Sequence, residues 1–172
     1  AQLGQLIFRD GTLSSTPTPM SCVSCHDPVI GHAGNFNTPV ALGGTNGATQ
    51  GLRNPPSIRY LKYNSAFYFA ADGTPTGGFF WDGRANSLAE QAKGPFLNSA
   101  EMANASIAVV IAKLRNATYA NQFKQVFGDR ILEVGNESAA YDRVAYALER
   151  YQFEDSDFAP FNSKFDAVMQ GK

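Results

Sequence analysis

The residues of this chain best suited to chemistry lie in one short stretch, Ser21 to Pro28. It holds both cysteines and one of the two histidines. Two residues separate Cys22 from Cys25, and His26 follows the second cysteine directly. One turn of helix places both thiols on the same side, where each can add to a vinyl group of a porphyrin. The following histidine then reaches the iron as its proximal ligand. The motif therefore predicts one covalently attached c-type haem.

Two other kinds of site use closely spaced cysteines. A redox dithiol of this spacing is typical of a chain with a βαβ pattern, and no such pattern surrounds Cys22 and Cys25. Structural zinc needs four ligands, and the sequence contains no second pair of cysteines to supply them. Haem attachment is thus the interpretation that the motif favours. Because haem c matures outside the cytoplasm, it also predicts a periplasmic location.

Length and composition limit the classes of function. The 172 residues predict a single domain over 1–172, long enough to bury a core. Hydrophobic residues make up 44% and charged residues 17%, a low charged fraction that suits a protein with a porphyrin added to its core. The net charge of −1 gives no indication of binding to nucleic acid or to an anionic membrane surface. No apolar run approaches the ~20 residues of a membrane span.

Hydrophobic periodicity predicts an all-α domain with long loops. Together with the haem motif, this indicates a cytochrome c-like haem domain whose loops wrap the haem. Leu3 to Phe8 forms a short amphipathic helix with Leu3, Leu6 and Ile7 on one side. Residues from about 27 to 83 are rich in Gly, Pro and Asn, and a loop of that length is expected only where it has a function, here enclosing a flat cofactor.

Further helices are expected from Asn86 onward, each with its own start or stop signal. They are Ser87 to Ala92 closed by Gly94-Pro95, a helix capped by Asn104 and carrying Ile107 to Leu114, a helix capped by Thr118 and stopped by Gly128, the long Glu137 to Phe153, and Pro160 to Met169.

Many segments of the chain also resemble one known family. They are Leu3-Gly4 through Phe8, Ser21 to Pro28, Gly51 with Arg53 to Ser57, Phe80-Trp81-Asp82-Gly83-Arg84, Ser87-Leu88 with Glu90 to Ala92, Gly94-Pro95, Asn98 with Glu101-Met102, Phe127-Gly128, Ala147 to Arg150, Ser156 and Phe165-Asp166. In this order they resemble the N-terminal haem domain of bacterial di-haem cytochrome c peroxidases and the related MauG family. The resemblance covers nearly the whole chain, and the Phe-Trp-Asp-Gly-Arg run beside the haem motif is its most specific part.

The resemblance implies a function. In that family this domain holds the peroxidatic haem, and a second haem domain supplies its electrons. The expected activity is therefore reduction of hydrogen peroxide to water, with electrons from an external donor such as a small cytochrome or cupredoxin, or from a second haem domain or subunit. The printed sequence has no second Cys-x-x-Cys-His motif. Two alternatives therefore stay open: the chain is a single-haem member of the family, or it is one half of a larger protein.

Roles for individual residues are likewise implied by the resemblance. Glu101 is expected to transfer protons at bound peroxide, and Gln91, ten residues earlier, to position it. The resemblance places Trp81 on the electron path, with a buried core aromatic as the open alternative. Arg84 is a candidate partner for a haem propionate or, equally, for a surface salt bridge. Asn54 matches a Ca²⁺ ligand of the family, but the other ligands are missing, so we expect no tight calcium site.

The ligand opposite His26 separates a peroxidase from an electron carrier. The family often has a removable histidine eight residues before the residue equivalent to Asn54, and this chain has Asn46 there. His32 and Met102 remain as candidate sixth ligands, and we expect neither to bind firmly, leaving an open or weakly ligated iron. An electron-transfer cytochrome closed by Met102 or His32, without peroxidase activity, stays as the alternative. A sensor that binds small gases at an open iron is a third hypothesis.

Overall fold

The structure, a computed structural model, describes residues 1–34 and 37–172. These residues form seven α-helices, four short 3-10 helices and two small hairpins, so the all-α prediction is confirmed. The α-helices are α1 (Gln2–Arg9), α2 (Cys22–Cys25), α3 (Leu88–Leu97), α4 (Ile107–Arg115), α5 (Ala120–Phe127), α6 (Glu137–Glu154) and α7 (Lys164–Met169). Two antiparallel pairs join β1 (Leu42–Gly43) to β2 (Thr49–Gln50) and β3 (Tyr68–Phe69) to β4 (Pro75–Thr76).

Helix α6 is the centre of the packing. Its buried residues recur every three or four positions, as the sequence predicted, and α1, α3 and α4 all pack against this helix. Ile7, Phe96 and Ile111 are the almost fully buried side chains that these three helices contribute. The same hydrophobic cluster also contacts Cys22, so the packed helices support the turn that carries the thiols.

The closest approach between α1 and α6 depends on Gly4. A Cβ atom at this position would overlap the carbonyl oxygen of Ala147 and lie 2.7 Å from Cβ of Tyr151. The sequence placed Leu3, Leu6 and Ile7 on the buried side, whereas the structure buries Leu3, Gly4, Ile7 and Phe8 and leaves Leu6 38% exposed. Helix α1 is therefore rotated about its axis relative to the predicted orientation, because Gly4, rather than Leu6, fits against the backbone of α6.

A Gly4→Ala substitution is expected to destabilise the protein by about 1–3 kcal/mol, because overpacking forces α1 away from α6. Helix propensity alone would change stability in the opposite direction, by about 1 kcal/mol in favour of alanine. Denaturant unfolding of the haem-loaded protein measures the difference. Gln2→Ala, an exposed position on the same helix, is the matched control and should change stability by about 0.5 kcal/mol or less. Equal stability of the two variants would contradict the packing argument.

Helix α3 runs through Gly94 and Pro95, although these residues were predicted to end it. Pro95 falls in the last turn, where its missing N–H removes only one bond of the helix. Phe96, directly after it, is 2% exposed and packs edge-on against Tyr141, with 5.8 Å between the two ring centres. Burial of that ring explains why the helix continues to Leu97.

Helix α4 is capped by Ser106, whose hydroxyl accepts the Val109 amide at 3.3 Å, and not by Asn104 as predicted. The buried Asn104 amide nitrogen instead donates to the carbonyls of Leu13 and Phe96, each at 2.9 Å. Asn104 therefore ties the chain just before the haem motif to the end of α3.

The remaining helix ends differ in smaller ways. Helix α5 begins after Tyr119 without the predicted Thr118 cap and ends at Gly128 as expected. Helix α7 begins at Lys164, after a capping box at Ser163, and not at Pro160. The long loop predicted over 27–83 contains both hairpins and two 3-10 helices, and residues 35 and 36 of it lie outside the described residues. Within the described ranges, none of the helices has the length and apolarity to cross a membrane.

Candidate functional site

The cysteine turn is held by its own side chains. Ser21 and Ser24 form a capping box around α2, in which the Ser21 amide donates to Ser24 Oγ at 3.0 Å. The amide of His26 then closes the turn on the Cys22 carbonyl at 2.8 Å. These bonds set Cys22, Cys25 and His26 along one helical turn, the arrangement that their spacing predicted.

The two thiols and His26 line a cavity of about 610 Å³, counting its open mouth. The apolar part of the wall comes from α1, α3, α6 and the loops between them and consists mainly of Phe8, Ile58, Ala92, Pro95, Phe96 and Leu148. A predominantly apolar wall suits a porphyrin.

The environment of the thiols argues against a redox dithiol. Burial raises the pKa of Cys22 to about 12 and the pKa of Cys25 to about 11. Reactive dithiols need the opposite shift, toward the thiolate. Two neutral sulfurs in an apolar wall are instead compatible with thioether bonds, which carry no charge.

His26 is oriented by a backbone carbonyl. Its Nδ1 lies 3.2 Å from the carbonyl oxygen of His32 and donates to it. The Pro56 carbonyl is a second backbone partner of the ring, and Nε2 is the nitrogen that would bind a metal. The Ile58 amide also donates to the His32 carbonyl oxygen, at 3.2 Å. Burial lowers the pKa of His26 and so favours the neutral imidazole, the form that binds metals.

These donors fit one porphyrin iron better than a bare metal ion. Among the described residues, no group of three or more His, Cys, Asp or Glu side chains is placed to hold a metal. That finding disfavours the zinc alternative. Gln152 supports occupancy by a group that is not protein: it lines the cavity at 6% exposure, and its buried Oε1 has no protein partner. Sequence reasoning missed Gln152, although it follows Leu148 by four residues on the buried face of α6.

Two predicted catalytic side chains share the cavity with the haem motif. Gln91 comes from α3, and Glu101 comes from the loop between α3 and α4. Burial raises the pKa of Glu101, while a hydrogen bond from the Asn98 amide at 2.6 Å and the charge of Arg84 oppose that shift. Glu101 is thus a carboxylate that is only partly desolvated and has one firm hydrogen-bond donor.

The two candidate sixth ligands occupy different places. Met102 lines the cavity and is 4% exposed. His32 is fully buried but does not line the cavity; its ring stacks on Phe158 at 4.2 Å, and its carbonyl contacts Nδ1 of His26. Because that nitrogen is opposite the one available to iron, His32 lies behind the proximal ligand. This arrangement gives no support to His32 as the sixth ligand.

Trp81 and Arg84 were predicted to contact the cofactor, and neither lines the cavity. Trp81 is 63% exposed and donates from Nε1 to the Asn54 carbonyl at 3.1 Å. The Arg84 guanidinium pairs with Asp82 at 2.7 Å and lies 3.6 Å from the centre of the Phe80 ring. A bridge between Phe79 and Ala85 buries those two residues and turns the intervening loop outward. The predicted cofactor contacts of Trp81 and Arg84 thus find no support in this arrangement.

Comparison with known proteins agrees with the geometry. The family model for di-haem cytochrome c peroxidase matches residues 1–172. The chain is 40% identical to the methylamine utilization protein MauG of Paracoccus denitrificans, over all of this chain and 44% of that protein. It is 33% identical to the cytochrome c551 peroxidase of Nitrosomonas europaea, over 99% of this chain and 43% of that protein.

A solved structure shows the same fold. The diheme peroxidase BthA from Burkholderia thailandensis superposes with a TM-score of 0.88 at 32% identity, over 97% of this chain and 41% of that one. The chain thus spans less than half the length of each of these three proteins.

Proposed function

Because this chain belongs to the di-haem cytochrome c peroxidase family, we propose that it forms a c-type haem unit that reduces hydrogen peroxide to water. One observation carries the proposal: Gln91 and Glu101 line the same cavity as Cys22, Cys25 and His26. The electrons come from an external donor, either a small soluble redox protein or a second haem domain or subunit. The location is the periplasm, where a covalently attached haem is matured and such donors are found.

In the proposed site, the side chains of this chain bind, orient and move protons. Cys22 and Cys25 would hold a haem through thioether bonds and His26 through Nε2, and the bound haem would supply the redox chemistry that peroxide reduction needs. The Gln91 amide orients the peroxide by hydrogen bonds. The Glu101 carboxylate takes the proton of the inner peroxide oxygen and returns it to the outer one, so that water leaves. Partial burial suits this role because it brings the basicity of Glu101 closer to that needed for exchange near neutral pH.

The absorption spectrum of the haem-loaded protein tests this function. A ferric high-spin charge-transfer band and a rapid spectral change on mixing with hydrogen peroxide are expected, because an open iron position is required. A low-spin spectrum that peroxide leaves unchanged would refute the peroxidase proposal.

Electron transfer without peroxide chemistry is the second candidate function, and the position of Met102 favours it. This buried thioether lies in the cavity wall, and methionine is a common sixth ligand of electron-transfer cytochromes. A methionine-sulfur absorption band in the ferric protein, lost in a Met102→Leu variant, would support this alternative.

Replacing Asn98 with Asp tests the assigned base through pH. The new carboxylate keeps an oxygen that can accept the Ala100 amide, but it removes the donor to Glu101 and adds a like charge beside it. Both changes raise the pKa of Glu101, so the fraction of ionised base falls at any given acidic pH. The acidic limb of the peroxide rate profile should therefore move to higher pH. Asn136→Asp, whose side chain bonds the Arg130 carbonyl and lies outside the cavity wall, should leave the profile in place.

A further inference from the structure

Tyr119 and Asp10 form a hydrogen-bonded pair outside the cavity. Tyr119, at the start of α5, is 7% exposed, and its hydroxyl donates to Oδ2 of Asp10 at 2.6 Å. The other carboxylate oxygen of Asp10 accepts the amide and the hydroxyl of Thr12, at 2.8 Å and 2.6 Å. Asp10 is thus held by two other hydrogen bonds and directs its remaining oxygen at the phenol.

The pair lies close to the haem attachment. Tyr119 belongs to the hydrophobic cluster against which Cys22 packs, and helix α1, which ends next to Asp10, contacts the cysteine turn α2. A thioether bond at Cys22 joins its sulfur to the edge of the porphyrin. Tyr119 is therefore placed where an electron can pass between its ring and the cofactor.

A surface groove opens on the other side of the pair. Its wall includes Arg9, Thr12 and Asn116 beside Asp10 and Tyr119. Water in this groove gives the carboxylate a route for exchanging protons with solvent. The pair thus has the haem attachment on one side and solvent on the other.

Other aromatic residues lack this combination. The hydroxyl of buried Tyr141 donates to the Lys93 carbonyl, and Nε1 of the exposed Trp81 donates to the Asn54 carbonyl. A backbone carbonyl is too weak a base to take the proton of an oxidised phenol, whereas a carboxylate is a much stronger one. Oxidation of a phenol in an apolar setting needs such a base, because its proton becomes strongly acidic when an electron leaves.

We propose that Tyr119 is a redox-active residue that returns an electron to the peroxide-oxidised haem while Asp10 takes its proton. This inference rests on the proposed peroxidase function. Reduction of one peroxide molecule to water takes two electrons from the haem centre, which is then the oxidant. The phenol of Tyr119 gives back one electron and becomes a neutral phenoxyl radical, as its O–H bond breaks and the proton moves to Oδ2 of Asp10. One electron from the external donor and the proton held by Asp10 restore the phenol.

Electron paramagnetic resonance after rapid freezing with hydrogen peroxide tests the proposal. The haem-loaded full chain should show a tyrosyl signal, and ring-deuterated tyrosine should narrow it. Tyr119→Phe should abolish the signal, and Tyr141→Phe, which removes a buried hydroxyl bonded to a carbonyl, should retain it. Asp10→Asn keeps an oxygen for Thr12 but cannot take the proton, and it should lower the radical yield.

The haem absorption spectrum, recorded on the same samples, separates the two proposals. A haem that reacts with peroxide while no tyrosyl signal forms, or a signal that survives Tyr119→Phe, overturns the role of Tyr119 and leaves the peroxidase function standing. A haem spectrum that peroxide does not change overturns the peroxidase function and, with it, this inference.

Discussion

A protein in which Cys22 and Cys25 are both replaced by Ser is expected to lose its haem completely under denaturing conditions. The two thiols are the only cysteines of the chain, and both line the cavity. Serine hydroxyls do not form thioether bonds with vinyl groups, so any haem still bound would be held by His26 and packing alone. Haem staining after denaturing electrophoresis should therefore fall from full intensity in the wild type to none.

Ser24→Ala is the matched control for that experiment. Ser24 lies between the two cysteines and supports the turn through the Ser21 amide, but it has no sulfur to attach a porphyrin. The variant should keep its covalent haem. Staining that persists in the double cysteine variant would show that the group is attached elsewhere, and the whole assignment of the cavity would fail.

A Glu101→Gln variant is expected to react with hydrogen peroxide at least roughly 10²-fold more slowly, the usual effect of removing a general acid–base group. Glutamine has nearly the same shape and can still accept a hydrogen bond from Asn98, but it cannot carry a proton between the two peroxide oxygens. Stopped-flow absorption at the haem band measures the rate. The acidic limb of the rate profile should vanish together with the rate, because it reports ionisation of Glu101.

Glu133→Gln is the control for this second substitution. Glu133 is exposed, pairs with Arg130 at 2.9 Å and lies outside the cavity wall, so its removal changes the overall charge equally without touching the site. Unchanged peroxide kinetics in Glu101→Gln would remove this residue from the mechanism. A slow reaction in both variants would point to a general effect of charge.

Local patterns predicted much of the fold because the forces behind them are local. The period of the apolar residues in α6 and the glycine at the end of α5 were identified correctly from nearest neighbours along the chain. The errors fell where a side chain had a better partner far away. Asn104 was predicted as a helix cap because Asn suits that position, but it bonds the carbonyl of Leu13, which is 91 residues distant.

The burial of single side chains also depended on distant partners. His32 was considered as a candidate sixth ligand, and the structure instead buries its ring against Phe158, which approaches from the far end of the chain. Trp81 was weighed as a core aromatic and is exposed, because Phe79 and Ala85 fill the buried positions of that loop. Hydrophobicity alone does not decide which aromatic residue of a short run turns inward.

The sequence by itself determined the kind of cofactor and its family, because attachment of a c-type haem needs two thiols and a histidine at a fixed spacing within one turn. It also determined that Gln91 and Glu101 are candidates for peroxide chemistry, through the resemblance. Only the tertiary structure decided that these two side chains share a cavity with the haem motif, that Gln152 joins them, and that Tyr119 finds the carboxylate of Asp10 at the end of α1. These contacts between residues distant in sequence depend on how α1, α3 and α6 pack, and packing is a property of the whole chain that no local pattern encodes.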